Sequence, residues 1–322
     1  MRDADCIIVG GGIAGLQAAI QLGRYSVHKV LVVDDGQGRS SRCRSYHNII
    51  GFPEGVSGAE LRAKGRMQAE RTGVLFEQDR IVRAERRGER IWLAGSAGRQ
   101  YTASAVLLAT GLSDRIPDIS GITATLGKSV YVCPDCDGYE IQNRRTILMG
   151  SGEPGASMAL TLIERTRELM YINHEQMPIS AELHRSMKQA GVRYLEAAIK
   201  EVRHAGDGWI QGVVTEDGQH FDAERGFVAF GGNQVHSGLA RQLGAKIADN
   251  DHVHADPRSM QAAPQVWIAG DLGIHAEQAT VAMGEGAIAA IWIHKALKQL
   301  RQQEQQELQS KMADVPARAK FD

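Results

Sequence analysis

The chain has 322 residues, more than one typical hydrophobic core organises, so two domains are expected, each able to bury its own interior. Its 43% hydrophobic and 23% charged fractions exclude a disordered or collagen-like chain, and a net charge of −1 offers no global field for nucleic acid, the Arg-rich stretch 80–90 reading as one exposed edge. No secretory leader pattern precedes the first apolar segment and no apolar run reaches membrane-spanning length, so a cytoplasmic protein without nucleic-acid or membrane partners is expected.

The first predicted element is the strand CIIVG, in which Cys6 sits among apolar neighbours as a small hydrophobe. A glycine turn follows at Gly10-Gly11-Gly12, then an apolar helix opened by Ile13, Ala14 and Gly15, then the strand KVLVVDD. Gly10 allows the tight turn, Gly12 lets backbone amides approach a pyrophosphate at the positive end of the helix, and Gly15 lets helix and strand pack closely. Asp34 comes 19 residues after Gly15, where a carboxylate can bind ribose hydroxyls. Each glycine taken singly could serve packing alone; strand, turn, helix and acid in this order predict a dinucleotide fold.

The buried strand VLLATG ends at Gly111, and Pro117 beyond it marks a place to leave a domain. Four cysteines are too few for a disulfide scaffold, and only Cys133 and Cys136 are closely spaced. In a reducing compartment a lone C-x-x-C is redox-active or half of a metal site. At the start of a helix both sulfurs lie near backbone amides, which favours a thiolate with a pKa below the ~8.5 of a free cysteine. A zinc site would have to recruit Cys43 and His47, whose C-x-x-x-H spacing is not a common structural pattern, so no metal is expected. A purely structural pair of buried cysteines is the other alternative.

The cassette then recurs, as the strand RRTILMG, the turn Gly150-Ser151-Gly152 with Pro154 and Gly155, an apolar helix and the strand LMYIN. Near the other end, VWIAGD places Gly270 and Asp271 at a strand end before the helical run Ala279–Leu297, which makes the first domain discontinuous. Asp271 could also be a helix N-cap, and Asn48 a turn residue. Beyond Leu300 the glutamine-rich chain predicts an exposed helix and then a loose tail. The fold class expected is α/β, with two Rossmann-like three-layer domains.

The order C-x-x-C-D-G at Cys133 to Gly138, a dozen residues, then a GxG turn resembles the low-molecular-weight, bacterial-type thioredoxin reductases. The likeness extends to the Gly10 turn, Asn48 with Gly51-Phe52-Pro53, VLLATG with Pro117, FVAFG at 227–231 and AGD with Glu277-Gln278-Ala279, covering about residues 5–298. It implies an FAD-binding domain of residues 1–117 and 241–322, and an inserted NAD(P)-like domain of residues 118–240 carrying the redox disulfide. By position, Gly12, Asp34, Asn48, Asp271, Gln278 and Ala279 would contact FAD, with Gly10, Ile13, Ala14, Gly15, Gly111 and Gly270 shaping the same site. The resemblance further implies that Cys136 faces the flavin, that Cys133 attacks an external disulfide, that Asp137 moves the proton, and that the protein is a homodimer.

Three features depart from that family. NADPH-using members carry His-Arg-Arg where this chain has Asn173, His174 and Glu175, and a carboxylate there repels a 2′-phosphate. Pro154 removes one backbone donor at the second turn, and GQGRSS at 36–41 replaces a Gly-Gly-Gln-Leu run. The leading expectation is therefore an FAD enzyme passing electrons through Cys133 and Cys136 to a thioredoxin-like protein or small disulfide, with a donor other than NADPH. NADH, an additional flavin or ferredoxin could supply the electrons. The alternatives are a dithiol oxidase delivering electrons to oxygen and a non-enzymatic redox sensor.

Overall fold

A computed structural model describes residues 1–313, so the loose tail expected after the last helix lies outside the described residues. The chain forms two compact units: residues 1–37, 64–111 and 236–322 in the first, residues 38–63 and 112–235 in the second.

The first unit is built on the strand Arg2–Val9, which pairs in parallel with Val30–Asp34 on one side and Gln100–Leu108 on the other. Leu75–Gln78 extends the sheet beyond Val30–Asp34, and Val266–Ile268 beyond Gln100–Leu108, both in parallel. Cys6, Ile7, Ile8 and Val32 are fully buried, as a central parallel strand covered on both faces requires. The helix Ile13–Gly23 buries Ala14, Gly15, Leu16, Ala18, Ala19 and Leu22 and packs on the long helix Ala279–Ala313. Small residues set that approach, because a Cβ on Gly286 would collide with the carbonyl of Ala14. The helix predicted over 279–297 continues through the glutamine-rich segment to Ala313.

The second unit carries a five-stranded all-parallel sheet in the order Arg193–Glu196, Leu169–Asn173, Thr146–Gly150, Arg225–Ala229, Val130–Tyr131. Alternate residues of these strands feed two cores. Leu148, Tyr171 and Phe227 face the helices Gly152–Leu162 and Ala181–Ala190 through Ala156, Ala159, Leu162 and Met187. Ile147, Met149 and Ile172 point the other way, onto Val202 and Val213 of the antiparallel sheet Ile199–His204, Ile210–Thr215, His220–Asp222. Helices, parallel sheet and antiparallel sheet make the expected three layers.

Both cassettes thus fold as Rossmann-like units. Residues 38–63 pack with the second unit, where a Cβ on Gly127 would crowd Cys43 and Arg44. No helix among the described residues is long and apolar enough to cross a membrane.

Candidate functional site

In the first unit the glycine turn joins the strand Arg2–Val9 to the helix Ile13–Gly23. Gly10 adopts φ +106°, and a Cβ there would strike the Ala109 carbonyl. A Cβ on Gly15 would strike the carbonyl of Gly10, so helix and strand meet at backbone distance. Gly12 is the helix N-cap, makes no side-chain cap, and has open space where a Cβ would stand. Asp34 accepts the Gly11 N–H at 2.9 Å and fixes the turn from the end of the neighbouring strand.

Gly111 (φ +57°) likewise opens on free space, and Gly270 (φ +76°) packs against Ala14. Gly270 donates its N–H to Glu285 at 2.9 Å, and the other oxygen of Glu285 stands 2.8 Å from His275 Nε2. The Glu285 contact raises the imidazole pKa above its ordinary value against the effect of burial. Asp271, Gln278 and Ala279, half-buried, lie before and at the start of the long helix. The structure thus brings Gly10, Gly12, Ile13, Ala14, Gly15 and Asp34 together around one turn, with Gly270 beside Ala14. Asn48 is exposed and belongs to the segment that packs with the second unit.

The second unit holds the cysteines. Cys133 and Cys136 are joined in a disulfide, with Cα atoms 5.3 Å apart. Cys133 is the N-cap of the short helix Pro134–Asp137, and its sulfur accepts the Cys136 N–H at 3.1 Å. Asp137 follows directly. Burial first, and the charge of Glu140 second, push its carboxyl up to about 7, while Arg39 opposes them. Glu140 is in turn paired with His47 Nδ1 at 3.3 Å, and His47 Nε2 hydrogen-bonds the Ser45 hydroxyl at 3.0 Å. Arg39 is clamped by both oxygens of Asp114, at 2.7 and 3.0 Å. Burial, then the charge of Asp137, pushes the Cys43 thiol up to about 11, so it stays protonated at neutral pH. Among the described residues no three His, Cys, Asp or Glu side chains gather as metal ligands.

The second glycine turn is differently furnished. Gly152 donates its N–H to the buried Asn173 at 3.0 Å, and the Tyr171 hydroxyl donates to the Gly152 carbonyl at 2.9 Å. Glu175 accepts from the Ser151 hydroxyl and pairs with Arg115, contacts that hold its carboxyl below the ordinary glutamate range. Arg115 is the cation that sequence reasoning missed beside Glu175. It follows no motif and lies 60 residues away, so no local signal marks it. His275 and Glu285 were also missed, although their distance from AGD, four and fourteen residues past Asp271, would have allowed them to be tested.

The family described as pyridine nucleotide-disulphide oxidoreductase matches residues 4–286. The thioredoxin reductase of Helicobacter pylori is 24% identical over 302 residues, covering 89% of this chain and 96% of that protein. Among solved structures, HlmI superposes with a TM-score of 0.86 at 24% identity, covering 96% of this chain and 97% of that one. The oxidoreductase from Agrobacterium tumefaciens gives 0.74 at 26% identity, with 92% and 99% covered.

Proposed function

The chain belongs to the pyridine nucleotide-disulphide oxidoreductase family, within its low-molecular-weight thioredoxin reductase-like group, and from that premise we propose that it is an FAD-dependent dithiol/disulfide oxidoreductase. The observation that carries the reading is the Cys133–Cys136 disulfide with Asp137 beside it, its carboxyl poised near neutrality.

The first glycine turn fits a flavin dinucleotide. Gly12 leaves its face of the turn open, the helix N-terminus offers positive partial charge, and Asp34, at the end of the neighbouring strand and bonded to the Gly11 N–H, would read ribose hydroxyls. Gly10, Gly12, Ile13, Ala14, Gly15 and Asp34 would hold the diphosphate and ribose; Asn48, Gly111, Gly270, Asp271, Gln278 and Ala279 are proposed for the remainder. Bound FAD would supply reversible storage of two electrons.

The chain's own residues carry the exchange. With the pair reduced, the Cys133 thiolate attacks one sulfur of a thioredoxin-like protein or small disulfide. A mixed disulfide forms, and the leaving sulfur takes the proton from Asp137. The Cys136 thiolate then attacks Cys133 Sγ, which re-forms the internal disulfide and releases the second partner sulfur. Cys136 is the sulfur assigned to the flavin side. The proposed donor is ferredoxin or another flavin rather than NADPH, and the proposed assembly is a homodimer in the cytoplasm.

A second reading is favoured by one observation: a Cβ on Gly152 would meet Met177 and Pro178, whereas one on Gly12 would meet nothing, so the second turn is the less open to a dinucleotide donor. Here a partner dithiol supplies the electron pair and becomes a disulfide, and dioxygen accepts the pair with two protons to give hydrogen peroxide. Anaerobic addition of dithiothreitol to the purified yellow protein, followed by air, tests both. Flavin bleaching supports the oxidoreductase reading, and fast reoxidation with peroxide formed in proportion selects the oxidase. A well-folded protein that takes up no FAD overturns both.

A further inference from the structure

The two glycine turns share one spacing but not one surface. In the first, positive φ falls on Gly10, while Gly12 has φ −75° and nothing within 4 Å of a Cβ position. In the second, positive φ falls on Gly152 (+51°), where a Cβ would stand 3.1 Å from Met177 Cβ and 3.4 Å from the Pro178 carbonyl oxygen. Gly12 and Gly152 are the same position of the G-x-G-x-x-G spacing, the one that must lie open for a pyrophosphate to approach.

The residues after the strand Leu169–Asn173 do the covering. Asn173 is fully buried; besides accepting the Gly152 N–H, it donates to the Met177 carbonyl at 2.8 Å and to the Tyr194 hydroxyl at 3.0 Å. Gln176, in the left-handed conformation at φ +54°, donates its N–H to the Asn173 carbonyl at 3.2 Å and turns the chain back over the glycine. Glu175 holds Ser151 and Arg115, and Arg115 also donates to the Phe230 carbonyl at 3.2 Å. The first N–H of the helix Gly152–Leu162 is therefore satisfied inside the protein, and a carboxylate is fixed to the residue before it.

We propose that residues 174–178 are a built-in cover over the second glycine turn, with Glu175 and Met177 as the specificity-determining side chains that exclude pyridine dinucleotides, NADH as well as NADPH. A diphosphate needs free N–H donors and positive potential at this place. It meets instead a methionine, a proline carbonyl and a carboxylate whose charge is already paired with Arg115, so neither the donors nor a free cation face it. The clash involves the diphosphate common to both coenzymes, so lacking a 2′-phosphate gives NADH no advantage. The inference rests on the functional reading above for treating the turn as a nucleotide site at all.

The test is equilibrium binding of NADH, NADPH and ADP-ribose to the flavin-loaded protein by calorimetry. Dissociation constants weaker than about 1 mM for all three are expected, and tighter binding of any one overturns the cover. In a Glu175→Gln, Met177→Gly double variant, NADH should bind at least about tenfold more tightly than in the parent; no gain overturns the role given to those side chains. FAD content and bleaching by dithiothreitol are read on the same samples. Their loss from the parent protein would defeat the functional reading while leaving the nucleotide result legible.

Discussion

Cys133 Sγ accepts the backbone N–H of Cys136 at 3.1 Å, so the two cysteines of the pair are not equivalent. When the disulfide is reduced, that donor stabilises a thiolate on Cys133, the sulfur assigned to the external partner.

Cys133 is therefore expected to be the more acidic thiol. Alkylation of the reduced protein by iodoacetamide across pH, with peptide mapping, should label Cys133 first and with a midpoint below ~8.5. Preferential labelling of Cys136 would reverse the assigned roles. Cys136→Ser should keep FAD and trap the partner as a mixed disulfide on Cys133, with turnover reduced to background.

Asp137 sets the second expectation. Its carboxyl, pushed up to about 7 chiefly by burial, is part protonated and part ionised at neutral pH, as a proton shuttle requires. The single-turnover rate of dithiol exchange should show a limb with a midpoint near 7. Asp137→Asn should abolish that limb and slow exchange about 10²-fold or more. An unchanged profile would remove Asp137 from the chemistry.

The glycines of the first turn separate fold from binding. Gly15→Ala drives a Cβ into the Gly10 carbonyl, an overpacking that costs about 1–3 kcal/mol and lowers Tm with or without flavin. Gly12→Ala has room for its methyl, so the apoprotein should melt within about 1 kcal/mol of the parent while FAD binds more weakly. If both variants lose only stability, the turn is structural and not a diphosphate site.

These contrasts mark what the sequence makes legible. The Gly10–Asp34 cassette and the Cys133/Cys136 pair are local patterns, in which spacing alone implies strand, turn, helix and a reachable disulfide. The second cassette passes the same spacing test, yet its backbone differs because Asn173 and Met177 return over Gly152, an outcome that GxGxxG does not encode. Glu175 is legible as a carboxylate in place of an arginine, but not as half of an ion pair. Its Arg115 partner lay beyond reach, since only the tertiary fold brings residues 115 and 175 together. The compact grouping of residues 38–63 with the second unit is another product of packing, invisible in chain order.

The last expectation concerns stability at mildly acidic pH. His28 Nε2 and His294 Nδ1 share one hydrogen bond of 2.8 Å, and Tyr25 stacks on His294 at 3.8 Å with ring planes 8° apart. Burial lowers the His28 pKa to about 4, helped by Arg301 and His294 and opposed by Asp5. Burial also lowers that of His294, with Lys298 and Arg301 adding to it. Only one proton fits between the two nitrogens, so a second charge would break the pair. The unfolded chain takes up a proton on His28 near pH 6.5 and the folded chain only near 4, so between those values the unfolded state binds more protons. The His28 contribution to stability is therefore full above pH 6.5 and is lost as pH falls toward 4, opposite in sign to that of Asp137, whose raised carboxyl pKa favours the fold as pH falls below about 7. Because His28 is only partly buried, solvent screening reduces the loss to about 1–2 kcal/mol. Thermal melts at pH 7.5 and 5 should show the parent losing a few degrees of Tm relative to His28→Gln, roughly 2–4 °C per kcal/mol. His28→Gln should flatten that dependence while lowering Tm at pH 7.5. A variant whose melting falls with pH as steeply as the parent's would place the acid sensitivity in another group.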